Sequence, residues 1–264
     1  MPDRGPAAYD WDVSHESEVT GMHGPSSPPP TIVLVHGAFT DASSWAGVVR
    51  LLRADGLTVR APANPLRGLA HDAVVLRGML RDIDAPVVLA GHDYGGAVIT
   101  QAAADADNVV ALCYVAAFGL DAGECVLDVT NRFAPAPVAD ATRTAAPPAR
   151  TPGGPDSELY IREELFPQVY AADLSPAARR RMSVTQRPIA CDALTGRSGP
   201  PAWASMPSWY AIATADRVLH PAAQRFMAQR MAATEHVLDG SHAVVLSQPG
   251  AVAAMIREAA EQAR

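Results

Sequence analysis

The stretch that most constrains this 264-residue chain is Val87-Val88-Leu89-Ala90, then Gly91-His92-Asp93-Tyr94-Gly95-Gly96, then the small-residue run Ala97 to Ala106. A short apolar run rich in β-branched residues reads as a strand buried on both faces. The run after it reads as a helix. The six residues between must turn the chain sharply. Side chains at positions 91 and 95 would collide with the neighbouring helix and strand, so glycine is required there, and residue 93 is left at the apex of a strained turn. Such a strand–turn–helix belongs in a sheet with helices packed against it.

The rest of the chain follows the same alternation. Strands are expected at Ile32–Val35, Leu57–Arg60, Val87–Ala90, Val109–Val115, Trp209–Ala213 and Glu235–Leu238. Helices are expected up to Ala54, then over His71–Asp82, Ala97–Ala106, Pro221–Met231 and Gly250–Gln262. This predicts the α/β class, with a mostly parallel sheet of about six strands and helices on both faces. The alternation breaks between about Leu120 and Ser205, where Pro, Ala and Gly dominate. Helical pieces are expected there near 157–168 and 175–186, as an inserted helical cap. The expected division is an N-terminal tail over 1–30, a core over 31–119 and 205–264, and a cap over 120–204. The tail closes on Ser26-Ser27-Pro28-Pro29-Pro30, which cannot pair in a sheet.

Asp93 at the apex is a carboxylate that is ionised near neutral pH without help from a base. It suits attack on a saturated carbon, which leaves an ester that water must then hydrolyse with the help of a base. His242, in Gly240-Ser241-His242-Ala243 after the last strand, is the expected base. Asp216, after the preceding strand, is the expected acid that orients the imidazole; Asp121 is the other candidate. The backbone N–H groups of Ala38 and Tyr94 are the expected oxyanion hole.

At these residues the chain resembles the α/β-hydrolase superfamily, with nucleophile, acid and histidine in that fold's chain order. His36-Gly37-Ala38-Phe39 with Trp45, Asn64-Pro65-Leu66-Arg67-Gly68 and Ser241-His242-Ala243 are similar to bacterial serine esterase-like hydrolases close to plant methylesterases and hydroxynitrile lyases. That branch carries Ser at the apex. Asp93 instead resembles the nucleophile of epoxide hydrolases and haloalkane dehalogenases. The resemblance departs from both: Phe39 stands near where epoxide hydrolases carry Pro, and Tyr94 where dehalogenases carry Trp. The reading is an epoxide hydrolase acting on an apolar or aromatic natural-product epoxide. The alternatives are a dehalogenase, an esterase or lyase scaffold with its Ser replaced, and a non-catalytic ligand-binding relative. Epoxide opening benefits from an acid, usually a cap tyrosine. Tyr160, Tyr170, Trp203 and Trp209 are the candidates for donors or pocket walls, with Phe39 and His36 beside them. Arg179-Arg180-Arg181 reads as a solvated face.

Composition narrows the partners. A net charge of −7 gives no general attraction to phosphate backbones or anionic membranes. All 21 basic residues are Arg, which excludes a lysine Schiff base and the lysine of a P-loop. Three widely spaced cysteines suggest neither a zinc site nor a disulfide framework. No apolar run reaches the ~18 residues of a membrane helix, and the N-terminus lacks a signal-peptide pattern. The expectation is a cytoplasmic protein, with a homodimer as one open assembly state, a small-molecule substrate, no nucleic-acid or membrane partner, and no metal or organic cofactor.

Overall fold

The computed structural model describes residues 28–146 and 157–263. The expected tail up to residue 27 lies outside them. The chain enters through β1 (Thr31–Val35), α1 (Ala46–Ala54), β2 (Val59–Arg60), α2 (Leu69–Leu80), β3 (Val87–His92), α3 (Tyr94–Ala103) and β4 (Val109–Val115). An insertion follows, with α4 (Val126–Thr130), α5 (Val138–Ala141), β5 (Thr142–Ala145), β6 (Glu158–Ile161), α6 (Phe166–Val169), α7 (Pro176–Thr185), β7 (Ile189–Ala190) and α8 (Cys191–Thr195). The chain then returns through β8 (Ser208–Ala213), α9 (Pro221–Arg230), β9 (Thr234–Leu238), α10 (Val244–Ser247) and α11 (Pro249–Gln262).

Six strands form one parallel sheet in the order β2-β1-β3-β4-β8-β9. The continuous apolar run of β1 has a direct cause: both of its faces are covered. Ile32 and Leu34 join one core with Val48 and Leu52 of α1 and Val252 and Ile256 of α11. Val33 and Val35 join the other with Leu69 and Leu76 of α2, Ala97 and Val98 of α3, and Met227 of α9. Parallel strands bring all their carboxyl ends to one edge. The loops after β1, β3, β8 and β9 therefore meet there, where open α/β sheets place their sites.

The insertion is not purely helical. Helix α7 falls where one was expected, but 157–168 contains strand β6. That strand pairs antiparallel with β5 on one side and β7 on the other, forming a second, three-stranded sheet. Leu159-Tyr160-Ile161 suits a strand, and its partners come from segments on either side of it in the chain. Local periodicity carries no sign of such pairing. Among the described residues no helix is long and apolar enough to cross a membrane.

The two expected glycine constraints have visible causes. A Cβ at Gly91 would lie 2.6 Å from the carbonyl oxygen of Gly95, and one at Gly95 would overlap the carbonyl oxygen of Val35. In contrast, a Cβ at Gly78 in α2 meets nothing within 4 Å. Gly95→Ala should therefore destabilise the protein by about 1–3 kcal/mol or more through overpacking. Gly78→Ala should stabilise it by about 0.4–1 kcal/mol by restricting the unfolded chain. Urea denaturation of the two variants measures both signs.

Candidate active site

Asp93 sits between β3 and α3 with φ 52° and ψ −124°, a backbone conformation costing about 1–3 kcal/mol for a residue with a side chain. The surroundings hold it there. Its N–H donates to Val115 O at 3.4 Å, and its carbonyl accepts from Gly96 N and Phe118 N, each at 3.0 Å. The strained turn lifts the side chain toward the loop after β1. Gly37 in that loop passes so close that any Cβ there would overlap Cβ of Asp93. The next residue, Ala38, donates its N–H to Asp93 Oδ2 at 2.8 Å. The other oxygen, Oδ1, lies 3.6 Å from His242 Nε2. Burial pushes the Asp93 carboxyl above its ordinary range, against the pull of His242 and of the Tyr94 and Ala38 N–H groups.

His242 follows β9 and is fully buried. Its Nδ1–H donates to Asp216 Oδ2 at 2.7 Å, which leaves Nε2 as the ring nitrogen facing Asp93. Asp216 is itself held by three donors. Its Oδ1 accepts from Val218 N at 2.7 Å and Leu219 N at 3.0 Å, and its Oδ2 accepts from Gln224 Nε2 at 2.8 Å. Burial pulls the His242 pKa down, but the charge and hydrogen bond of Asp216 and the charge of Asp93 outweigh it, and the net shift is upward. This is the pattern expected for an imidazole whose charged form is stabilised by a partner.

Four residues not read from the sequence as part of the site steady it. Asp173 in the insertion accepts from Ser241 N at 3.0 Å and from the Ser241 hydroxyl at 2.5 Å, fixing the loop that carries His242. His92 donates Nε2–H to the His242 carbonyl at 2.9 Å. Burial, aided by the nearby His242, holds its pKa well below the usual histidine value. Asp72 accepts the Tyr94 hydroxyl at 3.0 Å, anchoring the start of α3. Gln224 is fully buried. A polar residue beside the buried Ala223 and Met227 of a helix was the one visible signal among the four.

A cavity of about 530 Å³ opens beside Asp93. Ala38, Phe39 and Tyr94 line it together with apolar residues such as Phe118, Phe133 and Leu159. Several expected pocket residues lie elsewhere. Tyr160 bonds Glu158 and stacks under Arg143, held by the second sheet. Trp203 donates to the Leu120 carbonyl. Trp209 packs in the core on the other face of the sheet and donates to Glu258. His36 bridges the Gly37 carbonyl and Asn64 N, a structural task, and burial lowers its pKa. Tyr170 does not line the cavity either, but it meets His242 edge-on with ring centres 4.8 Å apart and its hydroxyl bonds Ala38 O at 3.3 Å. Asp121 bonds the adjacent Ala122 N, and His242 pairs with Asp216 instead. Among the described residues no His, Cys, Asp and Glu cluster could hold a metal ion.

The profile of the alpha/beta hydrolase family matches residues 32–255. The chain belongs to that family. Polyneuridine aldehyde esterase has a similar structure (TM-score 0.76, 18% identity), with 88% of this chain and 99% of that one covered. So does a pyrethroid hydrolase from Sphingobium faniae JZ-2 (TM-score 0.70, 23% identity, 88% and 97% covered). A methylesterase from Arabidopsis is a third (TM-score 0.72, 19% identity, 88% and 99% covered). At these identities the likeness concerns the fold alone. No curated protein matches the sequence.

Asp216 is the main cause of the upward shift at His242, so Asp216→Asn should bring the His242 pKa down relative to the parent. NMR titration of the imidazole C–H resonances measures this, and an unchanged midpoint would show that Asp216 does not govern the imidazole.

Proposed function

We propose that this chain is an epoxide hydrolase in which Asp93 is the nucleophile, His242 the base and Asp216 its orienting acid. One observation carries the reading. Asp93 Oδ2 takes the Ala38 N–H, while Oδ1 is the oxygen nearer His242. The donors that a serine enzyme keeps for a substrate carbonyl are engaged by the protein's own carboxylate. An ester substrate would find that place filled. An alkylating substrate would find one oxygen anchored and the other available.

The steps follow from this geometry. Asp93 Oδ1 attacks a ring carbon, and the C–O bond of the epoxide breaks. The departing oxygen takes a proton and becomes a hydroxyl. Asp93 is now an ester whose carbonyl oxygen is Oδ2, already bonded to the Ala38 N–H, with the Tyr94 N–H also directed at this carboxyl group. His242 Nε2 removes a proton from water, and the hydroxide adds to the ester carbon. The negative charge that develops on Oδ2 is held by the same two N–H groups. Collapse breaks the ester, the protonated His242 returns its proton to the leaving alkoxide, and a diol departs. Asp93 emerges from the collapse as a carboxylic acid, and its proton neutralises the hydroxide left when water protonated the opening oxygen, so that epoxide plus water gives diol and the Asp93 carboxylate is regenerated.

The proton for the opening oxygen has a different origin from the one expected. The Tyr94 hydroxyl is committed to Asp72, and Tyr160 and Tyr170 lie outside the cavity lining. Cavity water is the proton source in this reading, with Thr130, Asn131 and Thr142 as the polar side chains along the wall. Among the described residues Tyr94 is the one tyrosine that lines the cavity, and its engaged hydroxyl favours a second reading, dehalogenation, because a halide leaves without a proton. An apolar lining with Phe118 and Phe133 supports an aromatic or otherwise apolar substrate of either kind.

The test is to trap the ester. His242→Gln incubated with a panel of aromatic epoxides should gain the mass of one epoxide, mapped to the Asp93 peptide and absent in Asp93→Asn. No epoxide adduct, with an alkyl adduct from haloalkanes, would favour dehalogenation. No adduct with either, together with esterase activity in Asp93→Ser, would favour the replaced-serine scaffold. In the parent protein, ester hydrolysis needs neutral His242. Its single-turnover rate should therefore rise with pH as His242 loses its proton.

A further inference from the structure

A second cavity, of about 250 Å³, lies next to the first. Its wall is more polar and includes Thr40, Asp41, Ser43, Arg181 and Thr185. Arg180 and Arg181 are exposed, as expected of a solvated face, and Arg181 also borders this space. Three consecutive residues mark the border between the cavities. Ala38 lines the first, Thr40 lines the second, and Phe39 lines both.

Phe39 is an unusual residue to find there. Its φ is +61°, in the left-handed region that aromatic side chains seldom adopt. Strain of this kind persists where the surroundings impose it, and it concentrates at ligand clamps. The ring is nearly buried and meets Tyr170 edge-on, with centres 6.4 Å apart. Tyr170 in turn packs on His242. The side chain is therefore braced from the catalytic side.

We infer that Phe39 is a specificity-determining wall that confines substrates to the apolar chamber beside Asp93 and closes off the polar chamber beyond. The substrate class is then a compact apolar molecule without a long polar tail. This deepens the reading of the Asp93 cavity as the reaction chamber, but its test needs no chemistry.

The probes are unreactive ω-phenylalkanols, from 2-phenylethanol to 10-phenyldecanol, with dissociation constants measured by calorimetry on the full chain. In the parent, affinity should rise roughly fourfold per added methylene and then stop rising at a definite chain length. In Phe39→Gly, which also relieves the positive φ, the rise should continue for several further methylenes into the second chamber. Phe39→Leu should move the break the same way by fewer methylenes, and serves if the glycine variant does not fold. Phe39→Trp should bring the break to a shorter chain. A break at the same length in all of these proteins, or a parent with no break, would overturn the proposal. Either result stands whether or not Asp93 forms an ester with any epoxide.

Discussion

The contact between the Ala38 N–H and Asp93 Oδ2 ties together the two loops on which the site is built. β1 and β3 are hydrogen-bonded neighbours, and in register Val35 lies opposite Gly91. Each strand ends at the same level, and each next loop must turn within a few residues. Gly37 and Gly95 let those turns pass at distances where a methyl group has no room. Only then does a backbone N–H on one loop reach a carboxylate on the other. The result makes the two oxygens of Asp93 unlike each other, one anchored and one free, and this difference shapes the chemistry proposed for it.

A second consequence is electrostatic. Asp93, His242 and Asp216 are all buried, so each charge would be costly alone. They are arranged as an alternating line, carboxylate, imidazole, carboxylate, in which the central ring is attracted from both sides. That is why burial fails to depress the His242 pKa as it does at His36 and His92, which lack carboxylates in direct contact. Asp216 meets N–H donors from Val218, Leu219 and Gln224 besides the imidazole, so its position is set by the turn after β8 and the start of α9.

The insertion contributes to this order as well as roofing the cavity. Asp173 and the carbonyl of Tyr170 hold the Ser241–Ala243 backbone, and the Tyr170 ring packs on His242. The loop carrying the proposed base is thus braced by a segment some 70 residues earlier in the chain. A small change in the insertion can reach the imidazole through these contacts without touching the sheet.

The alternation of apolar runs and amphipathic stretches determined the six-stranded parallel sheet and its helices. The reason is that burial on both faces leaves a continuous β-branched run in each central strand. The small residues around Asp93, and the places of Asp216 and His242 directly after strands, were legible for the same reason: tight turns and strand ends are local constraints. The insertion was less legible. Its second sheet pairs segments distant in the chain, and Tyr160, Trp203 and Trp209 look alike as aromatic residues until packing sends each to a different surface. Only the tertiary structure decided that Asp93 Oδ2 meets the Ala38 N–H, that Gln224 bonds Asp216 and Asp173 bonds Ser241, and that Phe39 stands between two cavities. Each of these depends on the distance between elements remote in sequence, and that distance is set by how the whole core packs.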